Sequence, residues 1–113
     1  MFQNNEVTGL LTEGTFFEGH LRFNGVLKMG GEFKGSLESK GTLVIQEGAK
    51  VEGKILVDTV IVSGHMINVE IFSKKKVLLQ PTAVVKGFIE TAVLEVKDGA
   101  LFEGSIKKIK QSI

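Results

Sequence analysis

His20 and His65 are the only imidazoles in the chain, and imidazole is the side chain best suited to move protons or hold a metal near neutral pH. In the repeat described below, His20 shares an outward column with Ser36, Lys54, Glu70, Phe88 and Ser105, while His65 falls at a corner outside that column. The two therefore read as separate solvent-facing rings and not as a shared metal site. Carboxylates alternate with lysines instead of converging, whereas glycoside cleavage needs two close carboxyls in a cleft. Gly30-Gly31 is followed by neither Lys-Ser nor Lys-Thr, so it is not a phosphate cradle. Lys74, Lys75 and Lys76 form a basic corner, and Lys107, Lys108 and Lys110 a basic tail. With no aromatic platform beside them, both read as solvated charge guarding strand edges and not as a nucleic-acid surface. No cysteine is present, which removes disulfides, thiolate ligands and thiol nucleophiles and fits a reducing compartment. These residues assign no catalytic group, no cofactor, no nucleotide and no metal.

What positions them is a repeat. The phrase Val96-Lys-Asp-Gly-Ala-Leu-Phe-Glu-Gly104 echoes Leu11–Gly19, Ile45–Gly53 and, with an altered corner, Leu79–Gly87. Six apolar-x-Gly-x-apolar units align: Phe17 to Leu21, Phe33 to Leu37, Val51 to Ile55, Ile67 to Ile71, Val85 to Ile89 and Phe102 to Ile106. Their central positions, 19, 35, 53, 69, 87 and 104, are separated by 16, 18, 16, 18 and 17 residues. Within each unit apolar residues alternate, the period of a strand with one buried face, and no segment keeps a helical period. Strands that return to one column about every 17 residues run in the same direction, so they stack as turns of a coil about 4.8 Å apart. The chain is thus expected to be all-β: a single-domain parallel β-helix of about six turns.

Two details set the expected register. The position before the glycine column carries Glu18, Lys34, Glu52, Asn68, Lys86 and Glu103, and Lys54 precedes Glu70 in the next outward column. Stacked neighbours are then never like-charged, which favours this pairing by roughly 0.2–1 kcal/mol per opposite-charge step. Ser39 to Ile45 also matches Ser73 to Leu79 at a shift of 34, suggesting a two-turn unit with one short and one long corner. The column glycines are expected to leave room for bulky neighbours inside a narrow coil. Residues 1–10 are assigned as a flexible segment, 11–106 as the β-helix and 107–113 as a short basic tail.

With 113 residues, 42% apolar and 24% charged at net charge +1, the composition fits one soluble domain. It fits neither a disordered tract nor a basic nucleic-acid binder. The opening Met-Phe-Gln-Asn-Asn-Glu-Val lacks the basic start and apolar run of a signal peptide, so the expected location is cytoplasmic.

The repeated Gly-Ala-x-Phe/Val-x-Gly phrase, the turn length, the six turns, the Met-Phe opening and the basic tail together resemble the bactofilins, a bacterial polymer-forming cytoskeletal family. Val69 and Pro81-Thr82 depart from the family's Gly and Glu-Gly. The resemblance implies a right-handed coil and nucleotide-independent filaments without polarity, joined through the terminal turns. It also implies a scaffold that organises cell-shape or cell-envelope proteins at the inner face of the cell membrane.

The residues themselves agree with self-association. A solenoid cannot hide the strand edges at its two ends, and soluble monomers cap them with polar residues. Here the last turn offers Leu101, Phe102 and Ile106 and the first offers Leu10, Leu11, Phe16 and Phe17. The expected carboxyl-end contact is Phe102 with Leu101 and Ile106, and the amino-end contact is Leu11, Phe16 and Phe17. The partner is then the chain itself, and Met1 and Phe2 are the expected contact with membrane lipid. Two other readings stay open: a trimeric left-handed hexapeptide-type acyltransferase, disfavoured by the irregular spacing and the lack of a long loop, and a non-polymerising β-solenoid binding module.

Overall fold

The computed structural model describes residues 7–109. Eight strands follow one another: β1 (Val7–Leu11), β2 (Phe16–Arg22), β3 (Val26–Met29), β4 (Glu32–Ile45), β5 (Lys50–Val62), β6 (His65–Leu79), β7 (Val84–Val96) and β8 (Leu101–Lys108). Every pairing is parallel. The long strands bend at a corner, so the pairings sort into two ladders. One joins β2, the first halves of β4 to β7, and β8. The other joins β1, β3 and the second halves of β4 to β7. Each ladder has six rungs, and the coil is a β-solenoid. The first strand starts at Val7, inside the segment assigned as flexible, because its backbone pairs with Val26–Met29; the last runs to Lys108, two residues into the assigned tail.

Alternation fills the interior. Phe33, Leu37, Val51, Ile55, Ile71, Val85 and Ile89 point inward from the first ladder. Leu27, Met29, Leu43, Ile45, Val60, Val62, Val77 and Leu79 meet them from the second. The glycine column falls in the expected register, with 19, 35, 53, 69, 87 and 104 in successive contact.

The reason for those glycines is different from the one expected. Gly35 and Gly53 adopt φ of 142° and 127°, and a Cβ on either would lie 1.8 Å from the carbonyl oxygen of the column glycine one rung before. The column is held by backbone conformation and close approach, not by interior space. Val69 enters it only because the rung has gained a residue. Register shifts between Val51 and Gly53, Asn68 takes φ of 55°, and Val69 is buried as an ordinary strand residue. Asparagine tolerates the left-handed region better than other L-residues. This bulge corrects the alignment: Met66, not Ile67, pairs with Val51 and Val85 inside, while Ile67, not Asn68, pairs with Lys86 outside.

Corners close with few residues. Thr12–Thr15, Gln46–Ala49, Gln80–Ala83 and Lys97–Ala100 each make a turn in which the fourth N–H donates to the first carbonyl, at 2.9–3.2 Å. Gly14, Gly48 and Gly99 supply the positive φ of their turns; Pro81-Thr82 makes the same bond without one, proline fitting the second position of a turn. Gly30-Gly31 and Ser63-Gly64 form the shorter corners, so long and short alternate up to the last turn. At the opposite corner the Ser73 hydroxyl donates to the carbonyls of Asp58 (2.7 Å) and Lys76 (3.0 Å), and Ser39 Oγ accepts from Gly41 N–H at 2.9 Å.

Gly53→Ala is expected to lower stability by about 3 kcal/mol or more, combining backbone strain with overpacking. Asn68→Gly is expected to stay within about 1 kcal/mol of the parent, because glycine accepts the same φ. Urea denaturation followed by circular dichroism measures both, and a Gly53→Ala chain as stable as the parent would contradict the steric role of the column.

Candidate functional site at the terminal rungs

A strand in the middle of the stack has a neighbour above and below. β1 pairs only with β3 and β2 only with β4; at the other end β8 pairs only with β7, and Val93–Val96 only with Lys76–Leu79. Among the described residues, both ends therefore carry backbone donors and acceptors with no intramolecular ladder partner.

Apolar exposure concentrates on the same rungs. Eight large hydrophobic side chains are exposed among the described residues, and six stand at the ends: Leu10 and Phe16 on the first rung, Val93, Val96, Leu101 and Ile106 on the last. The other two, Leu56 and Ile109, line a side groove with Phe23 and Phe72.

The inward columns explain the exposure. Leu79, Val85 and Ile89 are fully buried by the rung after them, whereas Val96, Phe102 and Ile106, the next members of those columns, have no further rung beyond them among the described residues. Ile106 is 45% exposed where Ile89 is fully buried. At the other end Phe17 stacks flat on Phe33, ring centroids 5.5 Å apart and planes 4° from parallel, and among the described residues no further rung covers its outer face. One additional rung at either end would bury these faces.

The residues expected at the ends are brought together there. Phe16 is 61% exposed and points outward, while Leu11 and Phe17 turn inward and lid the core. Leu101 and Ile106 are exposed, and Phe102 is half-buried in the last interior layer. Met1 and Phe2 lie outside the described residues. Sequence reasoning missed Val93 and Val96. Extending the Leu43-x-Ile45 and Val77-x-Leu79 match by 17 residues, to Leu94-x-Val96, would have found Val96.

Charge pairs confirm how rungs choose neighbours. Glu18, Lys34 and Glu52 stack in succession, as do Arg22 and Glu38, and Lys86 Nζ lies 3.7 Å from Glu103. Lys54 and Glu70 are register partners as expected, but the Lys54 ammonium lies 5.5 Å from the Phe72 ring centroid. His20 Nδ1 shares a 2.5 Å hydrogen bond with Ser36 Oγ, and its Nε2 is 3.8 Å from Glu38. His65 stands three rungs away in another column. Among the described residues no group of three His, Cys, Asp or Glu side chains could hold a metal ion. Among the same residues no helix is long and apolar enough to cross a membrane.

On the last rung Glu95 accepts from Lys76 at 2.8 Å and from Lys97 at 3.1 Å. The hydrogen bond from Lys76, then that from Lys97, holds its carboxyl below the ordinary carboxylate value. A lowered pKa favours the charged form in the fold. The contribution is therefore present above the ordinary carboxyl range and lost as pH falls through the lowered value, and solvent keeps it small.

The model of one protein family, described as Bactofilin, polymer-forming cytoskeletal, matches residues 9–107. Comparison with curated proteins and with solved structures finds no match.

Lys76→Met is expected to raise the Glu95 carboxyl toward its ordinary range. A side-chain NMR titration reads the shift, and an unchanged midpoint would mean that Lys76 does not hold it.

Proposed function

The chain belongs to the bactofilin family, which is polymer-forming and cytoskeletal, and we propose that it acts as a non-catalytic scaffold assembling end to end through its two terminal rungs. The observation that carries this reading is that six of the eight exposed large hydrophobics among the described residues stand on the rungs whose backbone edges are also open. A second copy supplies what each end lacks: ladder partners and one more apolar layer.

Charge favours one orientation. Continuing the coil from the last rung onto the first rung of the next copy, in the internal register, would set Phe102 on Phe17 and Gly104 on Gly19. It would also set Glu103 on Glu18 and Lys107 on Arg22. Inside the molecule the same outward columns alternate in sign, as in Glu18 with Lys34 and Glu90 with Lys107, and like charges directly opposite are destabilising. Joining like ends about a two-fold axis avoids both clashes. About Gly104, Phe102 meets Ile106 and Glu103 meets Ser105; about Gly19, Phe17 meets Leu21 and Glu18 meets His20. Two different isologous contacts on one subunit generate an open filament with no overall direction.

In the cell such filaments would lie at the inner face of the membrane and gather cell-shape or cell-envelope proteins. Met1 and Phe2 would contribute roughly 1.5–3 kcal/mol each at most when buried in lipid, enough only when many copies act together.

Electron microscopy of the purified chain without nucleotide is expected to show long filaments. Ile106→Lys, which alters an exposed end residue, and Phe102→Arg are each expected to leave only short species paired through the amino-terminal rung. Filaments unaffected by both variants, or compact trimers in the parent, would overturn end-on assembly.

A further inference from the structure

At the carboxyl end the two ladders stop at different places. β8 closes the first ladder, whereas residues 93–96, the last described strand of the second, are paired on one side only. The bonds at the strand ends show which groups are open. Gln46, Ser63, Gln80 and Lys97 each donate an N–H to the last residue of the strand one rung before: Met29, Ile45, Val62 and Leu79. Lys97 N–H thus faces back, and by the alternation of a strand the N–H groups of Leu94 and Val96 face forward. Val96 is 47% exposed in a column whose preceding members, Ile45, Val62 and Leu79, are fully buried.

The chain approaches this edge in register. Lys108 pairs with Thr91, and the Ile109 N–H donates to the Thr91 carbonyl at 3.0 Å. Ile109 lines the corner groove together with Lys40, Asp58 and Lys74, the corner residues of earlier rungs, so the backbone is following the corner there. One residue, Ala92, separates Thr91 from Val93, and one, Ile109, separates Lys108 from Lys110. No shift is needed to bring Lys110 over Val93. The second ladder also keeps a strict step in these rungs: Leu43, Val60, Val77 and Leu94 are register partners 17 residues apart, as are Ile45, Val62, Leu79 and Val96. One more step falls on Gln111 and Ile113.

We propose that residues 110–113, which lie outside the described residues, add a seventh strand to the second ladder, so that the chain itself covers residues 93–96. Ile113 then lies on Val96 in one inward column. Gln111 lies on Leu94 in the other and ends it in a polar amide, as solenoid caps do. Outside, Lys110 falls on Val93 and Ser112 on Glu95, so no like charges are stacked directly. The Leu94 and Val96 N–H groups donate to the carbonyls of Lys110 and Ser112, and the Ser112 N–H donates to the Leu94 carbonyl, as Lys97 does to Leu79. Tethering selects this occupant over a second copy. A strand joined at Ile109 meets the edge at an effective concentration on the order of millimolar, which separate chains in dilute solution do not reach.

Seven strands on the second ladder against six on the first interrupt the coil. To continue it, Val7–Leu11 of a following copy would need the edge on residues 93–96 that the seventh strand takes. Unlike ends are then barred by shape as well as by charge, and Leu101, Phe102 and Ile106 on the first ladder remain open to a like end. This selection rests on the proposed end-on assembly; the strand itself does not.

The full chain carrying Ile106→Lys, whose carboxyl end is not expected to join another copy, lets the edge be read without filaments. NMR is expected to show contacts between the methyl groups of Ile113 and Val96 that stay within one molecule when labelled and unlabelled chains are mixed. Adding Ser112→Pro, which removes a ladder donor, is expected to speed exchange of the Leu94 and Val96 amides by about tenfold or more. The Leu79 amide, one rung inside, should exchange equally in both, which shows that the coil is intact, and Ile113→Asp should act as Ser112→Pro does. Absence of the Ile113 contacts, or Leu94 and Val96 amides that exchange equally fast with and without Ser112→Pro, would overturn the proposal. Contacts between labelled and unlabelled chains would make a second copy the occupant and overturn it as well. Filaments of the parent together with unprotected Leu94 and Val96 amides in the Ile106→Lys chain would leave end-on assembly standing without the strand. Protected amides in a chain that forms no filaments would support the strand alone.

Discussion

Parallel strands stacked on themselves satisfy each rung's backbone only by means of the next rung, and everything else in this protein follows from that dependence. The closest approach in the stack is at the glycine column, where one rung's carbonyl oxygen occupies the space a Cβ would need on the next. That contact fixes the register: a slip of one residue would drive a side chain into backbone and turn the buried Phe33, Leu37, Val51 and Ile55 toward solvent. Corners of two to four residues leave no slack to absorb a slip. The stack is therefore specified rung by rung, by local rules that are the same at every level.

The fourth rung shows how the rule accommodates an exception. An L-residue in the glycine column cannot take a φ near 130°, so the chain inserts Asn68, bends there and restores pairing at Val69. The rung compensates elsewhere in length: the inner column runs 33, 51, 66, 85, 102, with a short step into Met66 and a long one out of it. The bulge is felt on both sides of the rung, since Asn68 has no partner in the third or the fifth, and Val69 restores register with Gly53 and Gly87 alike.

The repeat made the coil, the turn count and the glycine register legible in the sequence, since identical phrases at a steady interval admit few other stackings. The bulge was not legible. Ile67-Asn-Val69 keeps the apolar alternation of its neighbours, and choosing Met66 over Ile67 as the inward residue requires knowing which backbone turns to positive φ. The ends were half legible. Phe16, Phe17 and Phe102 are conspicuous in the repeated phrase, but Val93 and Val96 lie on the second ladder, where no motif draws notice and only the missing next rung exposes them. The Lys54 ammonium beside Phe72 and the uncharged face around Ile61 depend on which columns adjoin across corners, information the one-dimensional repeat does not carry.

A rod built this way has two kinds of surface with different physical demands. Among the described residues its ends carry unpaired backbone together with apolar side chains, so covering them satisfies hydrogen bonds and buries carbon at once. Its sides carry fully paired backbone, so only side chains can recruit partners there. Most side columns alternate in charge and offer a neighbour little beyond screened ion pairs. The column through Val44, Ile61 and Leu78 is apolar where the others are charged, and Lys28 and Glu95 bracket it with opposite signs. A column of that form costs little stability in the monomer, because β-branched and aliphatic residues suit a strand whichever face they occupy.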